Sequence, residues 1–269
     1  MRHPQPPHNR PLAPSPARGD LARPTAPPLA SGPMRPRIGI TTSLNRTDSG
    51  DLEQRLNLTY VHAVERAGGL PLVVPMLTTP EAAEAFAALL DGLVVSGGPA
   101  VTDNMIGDLP DDISETEPLR VESDKRILSL FLEARRPALG ICYGMQLASA
   151  LRGGSIYADV ERDVDGTETH SPARGAEPHP ATVHPGTRLR SLIEADTLTV
   201  NTRHIQAVAE PGEGLVVSAV SPDGVIEAVE TPDGSFMGVQ FHPEAMDPPL
   251  DVLFRDLVHR ANAARTTAP

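Results

Sequence analysis

The sequence is poor in sulfur and in aromatic side chains. Its 269 residues include one cysteine, no tryptophan, and aromatic residues at only 3%. A single thiol cannot form a disulfide within the chain, so a disulfide-stabilised fold is excluded. With so few aromatics, the core has to be built from valine, leucine, isoleucine and alanine, a composition typical of parallel sheets covered by helices.

Long apolar runs and excess positive charge are also absent. No stretch approaches the roughly 20 apolar residues that cross a bilayer, and the N-terminus lacks the apolar segment of a secretory signal. The formal net charge is −12, which opposes binding to nucleic acids and anionic membranes. We therefore expect no nucleic-acid and no membrane partner, and a free cysteine without an export signal indicates a cytoplasmic location.

Proline is concentrated at the N-terminus. Residues 1–35 mix it with alanine, arginine and serine, a composition that cannot bury a core. We predict a disordered, proline-rich tail over residues 1–35 and one domain over residues 36–265. Met34 offers an alternative start for the functional protein.

Beyond the tail, strand-like and helix-like segments alternate, which is typical of a parallel sheet with right-handed crossovers. In the second half, short β runs follow one another, separated by Asp-Gly turn signals. We predict an α/β fold: a mainly parallel central sheet flanked by helices, with an antiparallel extension. The predicted strands are 37–42, 70–74, 92–95, 138–141, 197–200, 215–220, 225–230 and 236–241, and the predicted helices are 60–67, 80–90, 119–134, 145–151 and 249–264.

The single cysteine lies in Gly140-Ile141-Cys142-Tyr143-Gly144, between a strand-like and a helix-like run. This arrangement is typical of a nucleophile elbow, where the nucleophile occupies a strained turn and glycines leave room for a substrate. The dipole of the following helix favours the thiolate. A buried, unreactive thiol is the alternative, but the glycine frame favours a catalytic nucleophile.

A histidine with a nearby carboxylate follows in Gly238-Val239-Gln240-Phe241-His242-Pro243-Glu244. His242 would take the thiol proton and return it to the leaving group, and Glu244 would orient the imidazole. A solvated turn is the structural alternative, which is compatible with catalysis because catalytic groups often lie at strand ends. We predict a triad of Cys142, His242 and Glu244.

Two further segments are candidates for the same pocket. Gly97 and Gly98 end a predicted strand, and the backbone N–H groups of Gly98 and Tyr143 could form an oxyanion hole; a plain turn is the alternative. The polar segment 201–206 follows another strand and reads either as a loop or as a pocket lining.

These segments resemble the class I glutamine amidotransferase superfamily, most closely the branch of free-standing γ-glutamyl hydrolases typified by γ-glutamyl-γ-aminobutyrate hydrolase. The resemblance covers nearly all of residues 36–262 and is carried by segments 37–41, 91–99, 139–146, 153–157, 200–206 and 238–244.

The resemblance implies a flavodoxin-like fold and a cysteine-dependent reaction. Cys142 would attack a γ-glutamyl amide, release an amine such as γ-aminobutyrate or a polyamine, and leave a thioester that water hydrolyses to glutamate. The resemblance implies no metal and no organic cofactor, and a homodimer is left open. It assigns substrate binding to Gly97, Gln146, Asn201 and His204. Two other functions stay open: a glutaminase subunit that passes ammonia to a separate synthetase, and a non-catalytic binding relative.

The chain departs from the family pattern around the pocket, which bears on the substrate more than on the chemistry. Segment 99–118 is also acidic and reads either as a lid favouring a cationic leaving amine or as a solvated charge run. The departures are Tyr143 for arginine, Val121 and Ala100 for aspartate, Ser149 for asparagine and Ile205 for histidine. Five acidic residues crowd the later part of the segment: Asp108, Asp111, Asp112, Glu115 and Glu117.

Overall fold

Strands and helices alternate along the first half of the computed structural model. It describes residues 34–248 and 250–267, so the predicted tail, apart from its last two residues, lies outside the described residues. The strands are β1 (Arg37–Ile40), β2 (Ser43–Arg46), β3 (Leu52–Arg55), β4 (Leu70–Val73), β5 (Gly92–Val95), β6 (Met105–Ile106), β7 (Ala138–Ile141), β8 (Ser155–Tyr157), β9 (His179–Val183), β10 (Thr197–Val200), β11 (Ala207–Glu210), β12 (Val216–Val220), β13 (Ile226–Glu230) and β14 (Phe236–Val239). The helices are α1 (Leu58–Arg66), α2 (Pro80–Ala87), α3 (Pro118–Glu133), α4 (Tyr143–Leu151), α5 (Val160–Asp163), α6 (Arg188–Ile193) and α7 (Asp251–Thr267), with 3₁₀ turns at Pro172–Arg174 and Pro243–Ala245.

Nine of the described strands form the central sheet, in the order β10-β9-β12-β13-β14-β7-β5-β1-β4. The five strands from β14 to β4 run parallel to one another. From β10 to β14 each neighbouring pair is antiparallel. The predicted α/β fold, with a parallel sheet and an antiparallel extension, is therefore confirmed.

The sheet separates two hydrophobic cores because successive strand residues face opposite sides. Val94 packs into the core that contains Tyr60 of α1 and Phe254 of α7. Its neighbours Leu93 and Val95 pack into the other core, which contains residues of α2, α3 and α4. The parallel strands are thus covered on both faces, which explains why they read as continuous apolar runs.

Several elements differ from the sequence-based prediction. Helix α4 begins at Tyr143 rather than at residue 145, because Cys142 itself occupies the N-cap position. Segment 99–118, which shows no periodicity, contains the two-residue strand β6, paired with β8. The β2–β3 hairpin was not predicted, because polar and exposed residues dominate it. None of the described helices is long and apolar enough to cross a membrane.

The order of the strands brings three chain segments together at the carboxyl end of the parallel strands. Strands β5, β7 and β14 are neighbours and run in the same direction. Their carboxyl ends lead into Gly97-Gly98, into Cys142 and into His242, respectively. Ligand sites of open parallel sheets lie at such carboxyl ends, so the fold alone assembles residues from three distant parts of the chain.

Candidate active site

Cys142 occupies a strained position between β7 and α4. Its backbone has φ 51° and ψ −103°, and positive φ is uncommon for residues other than glycine. The residue is 6% exposed, and the side-chain amide of Gln240 donates a hydrogen bond to Sγ at 3.4 Å. The strain and the adjacent helix start are the geometry expected of a nucleophile elbow.

The glycines on either side of Cys142 permit this close turn. A Cβ on Gly140 would lie 2.7 Å from the backbone of Gly144, and a Cβ on Gly144 would lie 2.4 Å from the carbonyl oxygen of Val95. Any larger residue at either position would have to displace backbone, not a flexible side chain. The elbow frame is therefore a packing requirement.

His242 lies between the sulfur of Cys142 and the carboxylate of Glu244. Its Nδ1 is 2.8 Å from Glu244 Oε1, and Glu244 is buried. Burial by itself lowers the pKa of His242, but the hydrogen bonds and charges of Cys142 and Glu244 outweigh it and raise that pKa to about 10. The imidazole is therefore charged near neutral pH. The three predicted triad residues are brought together.

Replacing Glu244 with glutamine should move the alkaline limb of the pH–rate profile downward. Glutamine keeps a hydrogen-bonding group but loses the charge that holds the proton on His242, so the imidazolium should deprotonate at a pH lower by about 1 to 3 units. The measurement is kcat/KM against pH. The surface variant Glu84→Gln should not change the pH of the alkaline limb. If Glu244→Gln does not lower that pH either, Glu244 does not keep the proton on His242.

The side chain of Asn201 binds the backbone of His242 through two hydrogen bonds. Its Nδ2 donates to the carbonyl oxygen of His242 at 2.9 Å, and its Oδ1 accepts from the N–H of His242 at 2.8 Å. Both polar atoms of this side chain are thus occupied. Asn201 acts here as a positioning residue for the imidazole, and its direct contact with substrate stays a prediction.

Tyr60 is a site residue that the sequence did not indicate. Its hydroxyl accepts a hydrogen bond from the N–H of Gly97 at 3.0 Å, and burial together with the charge of Glu244 raises the pKa of the phenol well above its usual value. A Cβ on Gly97 would lie 2.6 Å from the imidazole of His242. Tyr60 therefore joins the glycine turn to the carboxylate end of the triad, and Gly97 leaves space for the imidazole.

Tyr60→Phe should slow turnover while leaving the fold intact. The change removes the hydroxyl, so the Gly97 N–H is left without its partner. The loss of one hydrogen bond is worth about 1 kcal/mol, or up to about tenfold in kcat. Steady-state kinetics with a melting curve measures this, and Tyr157→Phe, at a partly exposed tyrosine, is the matched control. An unchanged kcat in Tyr60→Phe would show that the hydroxyl positions nothing.

The predicted oxyanion-hole donors belong to the residue that follows Cys142 and to a residue of the cavity that Cys142 lines. Tyr143 is the first residue of α4, and Gly98 lines the same cavity as Cys142. Within the described residues, neither backbone N–H has a hydrogen-bond acceptor. Both groups are thus available to an oxygen that develops negative charge next to the sulfur.

A buried arginine contacts both chain segments that carry these N–H groups. Arg120 is 1% exposed, and its Nη2 donates to the carbonyl oxygens of Ser96 and Gly97. Its guanidinium lies 4.4 Å above the ring centroid of Tyr143, and its Nε pairs with Asp124 at 3.2 Å. Burial raises the pKa of Asp124 to about 6, although Arg120 opposes the shift. One buried cation thus contacts both the segment that leads to Gly98 and the side chain of Tyr143.

A cavity of about 100 Å³ lies above the sulfur. Gln146 lines it, and its Nε2 donates to Gln206 O and to Gln240 Oε1.

Arg203 is an exposed cation beside the same cavity, and the sequence did not single it out. His204 lines the cavity, but its Nδ1 faces Gln206 O and its Nε2 faces a buried carboxylate, so its ring contact with substrate stays a prediction.

The acidic segment 99–118 borders this cavity through Pro99 and Ile113. Three of its six acidic residues are engaged elsewhere: Asp103 pairs with Lys125, Asp112 pairs with Arg174, and Glu117 pairs with Arg46. Asp108, Asp111 and Glu115 are exposed. The segment is therefore less acidic toward a ligand than its composition indicates.

A second group of ionisable side chains lies behind the 201–206 segment. Ligand atoms of His170, His179 and Glu227 lie within 4.8 Å of one another. His204 connects this group to the cavity wall, because its Nε2 is 3.6 Å from Glu227 Oε1.

The chain is similar in sequence and in fold to several known proteins. The family model described as Peptidase C26 matches residues 36–244. The protein NtpR of Enterococcus hirae is 34% identical over 78% of this chain and 92% of its own length. The γ-glutamyl-γ-aminobutyrate hydrolase PuuD of Escherichia coli is 32% identical over 78% of this chain and 85% of its own. The CTPS glutaminase domain of Trypanosoma brucei, solved with acivicin bound, aligns with a TM-score of 0.56 at 19% identity, covering 84% of this chain and 94% of that one.

Proposed function

Because the chain belongs to the peptidase C26 family, we propose that it is a cysteine-dependent hydrolase of γ-glutamyl amides, with Cys142 as nucleophile and glutamate as product. Membership of this family supports a hydrolase. The substrate class and the roles of the individual residues are part of the proposal.

The convergence of three parallel strands on Cys142 carries the proposal. In it a strained thiol lies beside an imidazole whose pKa is raised by Cys142 and by the buried Glu244. It also leaves two unpaired backbone N–H groups next to the sulfur within the described residues. Nucleophile, proton carrier, orienting carboxylate and oxyanion donors are the groups that acyl transfer requires.

The reaction would run in two halves. The sulfur of Cys142 attacks the γ-carbonyl carbon, and the N–H groups of Gly98 and Tyr143 stabilise the oxyanion. His242 gives its proton to the leaving nitrogen, the C–N bond breaks, and a γ-glutamyl thioester remains. His242 then takes a proton from water, the hydroxide attacks the thioester, and the C–S bond breaks to release glutamate. Glu244 holds the imidazole throughout.

The cavity suits a small anionic acyl group. Its volume of about 100 Å³ leaves room for a glutamyl side chain rather than a long peptide. Arg203 offers a guanidinium, which binds carboxylates through paired hydrogen bonds, so it is placed to recognise the α-carboxylate. Gln146 would contact the remaining polar atoms. The leaving amine would then face segment 99–118, whose exposed acidic residues favour a cationic amine.

Glutamate release from three substrates tests the proposal. Purified protein is given γ-glutamylputrescine, γ-glutamyl-γ-aminobutyrate and L-glutamine, with Cys142→Ala as control. Cys142-dependent turnover of a γ-glutamyl amine, with L-glutamine as a poor substrate, supports the hydrolase. A preference for γ-glutamylputrescine supports the hypothesis that acidic residues of segment 99–118 favour a cationic leaving amine. Turnover of glutamine alone would favour a glutaminase subunit, and no turnover would favour a non-catalytic relative.

A further inference from the structure

Glu227 lies in a buried cluster of histidines that the proposed hydrolysis does not use. This residue of β13 is fully buried, and neither carboxylate oxygen has a hydrogen-bond partner within the described residues. Three imidazole nitrogens face its Oε1: His179 Nε2 at 3.5 Å, His170 Nδ1 at 3.6 Å and His204 Nε2 at 3.6 Å. A buried carboxylate without a partner is costly, so something must compensate it.

The hydrogen bonds on the far side of each ring fix where the protons are. His170 Nε2 lies 3.0 Å from a carboxylate oxygen of Asp223. His204 Nδ1 lies 3.0 Å from the carbonyl oxygen of Gln206, and His179 Nδ1 lies 3.3 Å from that of Pro180. Each outer nitrogen faces an acceptor, and in the tautomer that donates to this acceptor the inner nitrogen presents a lone pair.

Thr202 does not supply a proton to the centre of the cluster. Its hydroxyl lies 3.3 Å from His170 Nδ1, but it donates its hydrogen to the carbonyl oxygen of His170 at 2.8 Å. The inner face thus consists of three imidazole lone pairs and one carboxylate. Four acceptors that converge without a donor call for a cation.

We propose that His170, His179, His204 and Glu227 form a zinc site. Imidazole nitrogen and carboxylate oxygen are zinc ligands, and a tetrahedral ion with bonds of about 2.0–2.1 Å sets its ligand atoms about 3.3–3.4 Å apart. The nitrogen–oxygen separations of 3.5–3.6 Å are close to that ligand–ligand distance. The ligand atoms of His170, His179 and Glu227 all lie within 4.8 Å of one another, and His204 approaches the same oxygen of Glu227. Asp223 and the two carbonyls supply the outer hydrogen bonds that orient zinc-binding histidines.

The four ligands would connect separate parts of the second half of the chain. His170 precedes the Pro172–Arg174 turn, His179 begins β9, and His204 lies in the segment that lines the active cavity. A cleft of about 770 Å³ lined by His170, His179 and Asp223 gives an ion access. A zinc site with four protein ligands and no position left for substrate is a structural site. Zinc would therefore link segment 201–206, which lines the active cavity, to strands β9 and β13 of the central sheet. This site does not depend on the proposed hydrolase activity, and it departs from the expectation of no metal.

Zinc titration of the full chain tests the site without any activity assay. The purified protein is stripped with a chelator and titrated with Zn²⁺ against a chromophoric competitor, and the melting temperature is followed in parallel. We expect one equivalent per chain with a Kd below about 1 μM and a rise in melting temperature, because a ligand that binds the folded state stabilises it. Co²⁺ in place of Zn²⁺ should give the visible absorption of a tetrahedral site.

Variants show which residues hold the ion. Glu227→Gln and His179→Gln should each weaken zinc binding by on the order of 100-fold or more, and Asp223→Asn by about 10- to 100-fold. His184→Gln is the matched control and should bind zinc like the unaltered protein. This half-buried histidine lies five residues beyond His179, and its Nδ1 forms a hydrogen bond with the carbonyl oxygen of Val217. Cys142→Ala should keep the full stoichiometry.

Three results would overturn the proposal. The first is a stripped chain that binds no zinc. The second is equal binding by Glu227→Gln and the unaltered protein, and the third is binding that disappears in Cys142→Ala, which would place the ion at the active site.

Discussion

Cys142→Ala is expected to release glutamate from a γ-glutamyl amide on the order of 10⁵-fold more slowly than the unaltered protein, the scale on which losing a covalent nucleophile acts. The change removes the atom that forms the thioester, and no other cysteine in the chain can replace it. The fold should persist, because the sulfur receives one long hydrogen bond, from Gln240. The measurement is initial rate together with a melting curve.

Cys142→Ser sharpens this prediction. A hydroxyl fits the same space but is a far weaker nucleophile than a thiolate beside an imidazolium. We expect it to be nearly as inactive as the alanine variant, with a similar melting temperature. A serine variant with more than a few per cent of the original activity would mean that the sulfur is not the attacking atom.

Arg120→Met is expected to produce the largest loss of stability. Methionine fills much of the volume but leaves Asp124 and the carbonyls of Ser96 and Gly97 without their cationic partner. Breaking one side of a buried ion pair costs about 3–5 kcal/mol. Denaturant unfolding measures this free energy, and kcat should fall as well because the segment leading to Gly98 loses its support.

The pH dependence and a matched control test the cause. Arg126→Met, on the same helix but partly exposed, should cost well under 1 kcal/mol. The pKa of Asp124 is raised to about 6, so its carboxylate is charged above that pH and neutral below it. The loss in Arg120→Met should therefore be larger at about pH 8 than at about pH 5. The double variant Arg120→Met/Asp124→Leu should recover part of the loss, and an equal loss in Arg126→Met would refute the explanation.

The parallel half of the fold could be predicted because its signals are local. Gly92–Val95 and Ala138–Ile141 were predicted with their observed bounds, since buried parallel strands read as unbroken apolar runs. The Asp-Gly turns likewise indicated the hairpins around β13. β9 and β11 were missed, because β9 contains a proline and β11 is half exposed, so neither shows a clear apolar run. The resemblance to the class I glutamine amidotransferase superfamily is confirmed by the family match.

The site was predictable only where a short motif carries it. Cys142, His242 and Glu244 lie in compact motifs, and the sheet order then brings those motifs together. Tyr60 and Arg120 act through contacts with the glycine turn at 96–97, across 37 and 23–24 positions of the chain, and no local pattern signals such contacts. The histidine cluster draws on residues from 170 to 227 without the close spacing of metal-binding motifs. It becomes visible only when β9 and β13 are placed on either side of β12.

Trapping of the acyl-enzyme tests the central claim most directly. The protein is mixed with γ-glutamylputrescine or γ-glutamyl-γ-aminobutyrate, quenched in acid within the first turnover, and measured by intact mass and peptide mapping. The account predicts one glutamyl group on the peptide that contains Cys142, sensitive to hydroxylamine and absent from Cys142→Ala. Glutamate release that continues in Cys142→Ala, or a glutamyl group attached at any other residue, would contradict it.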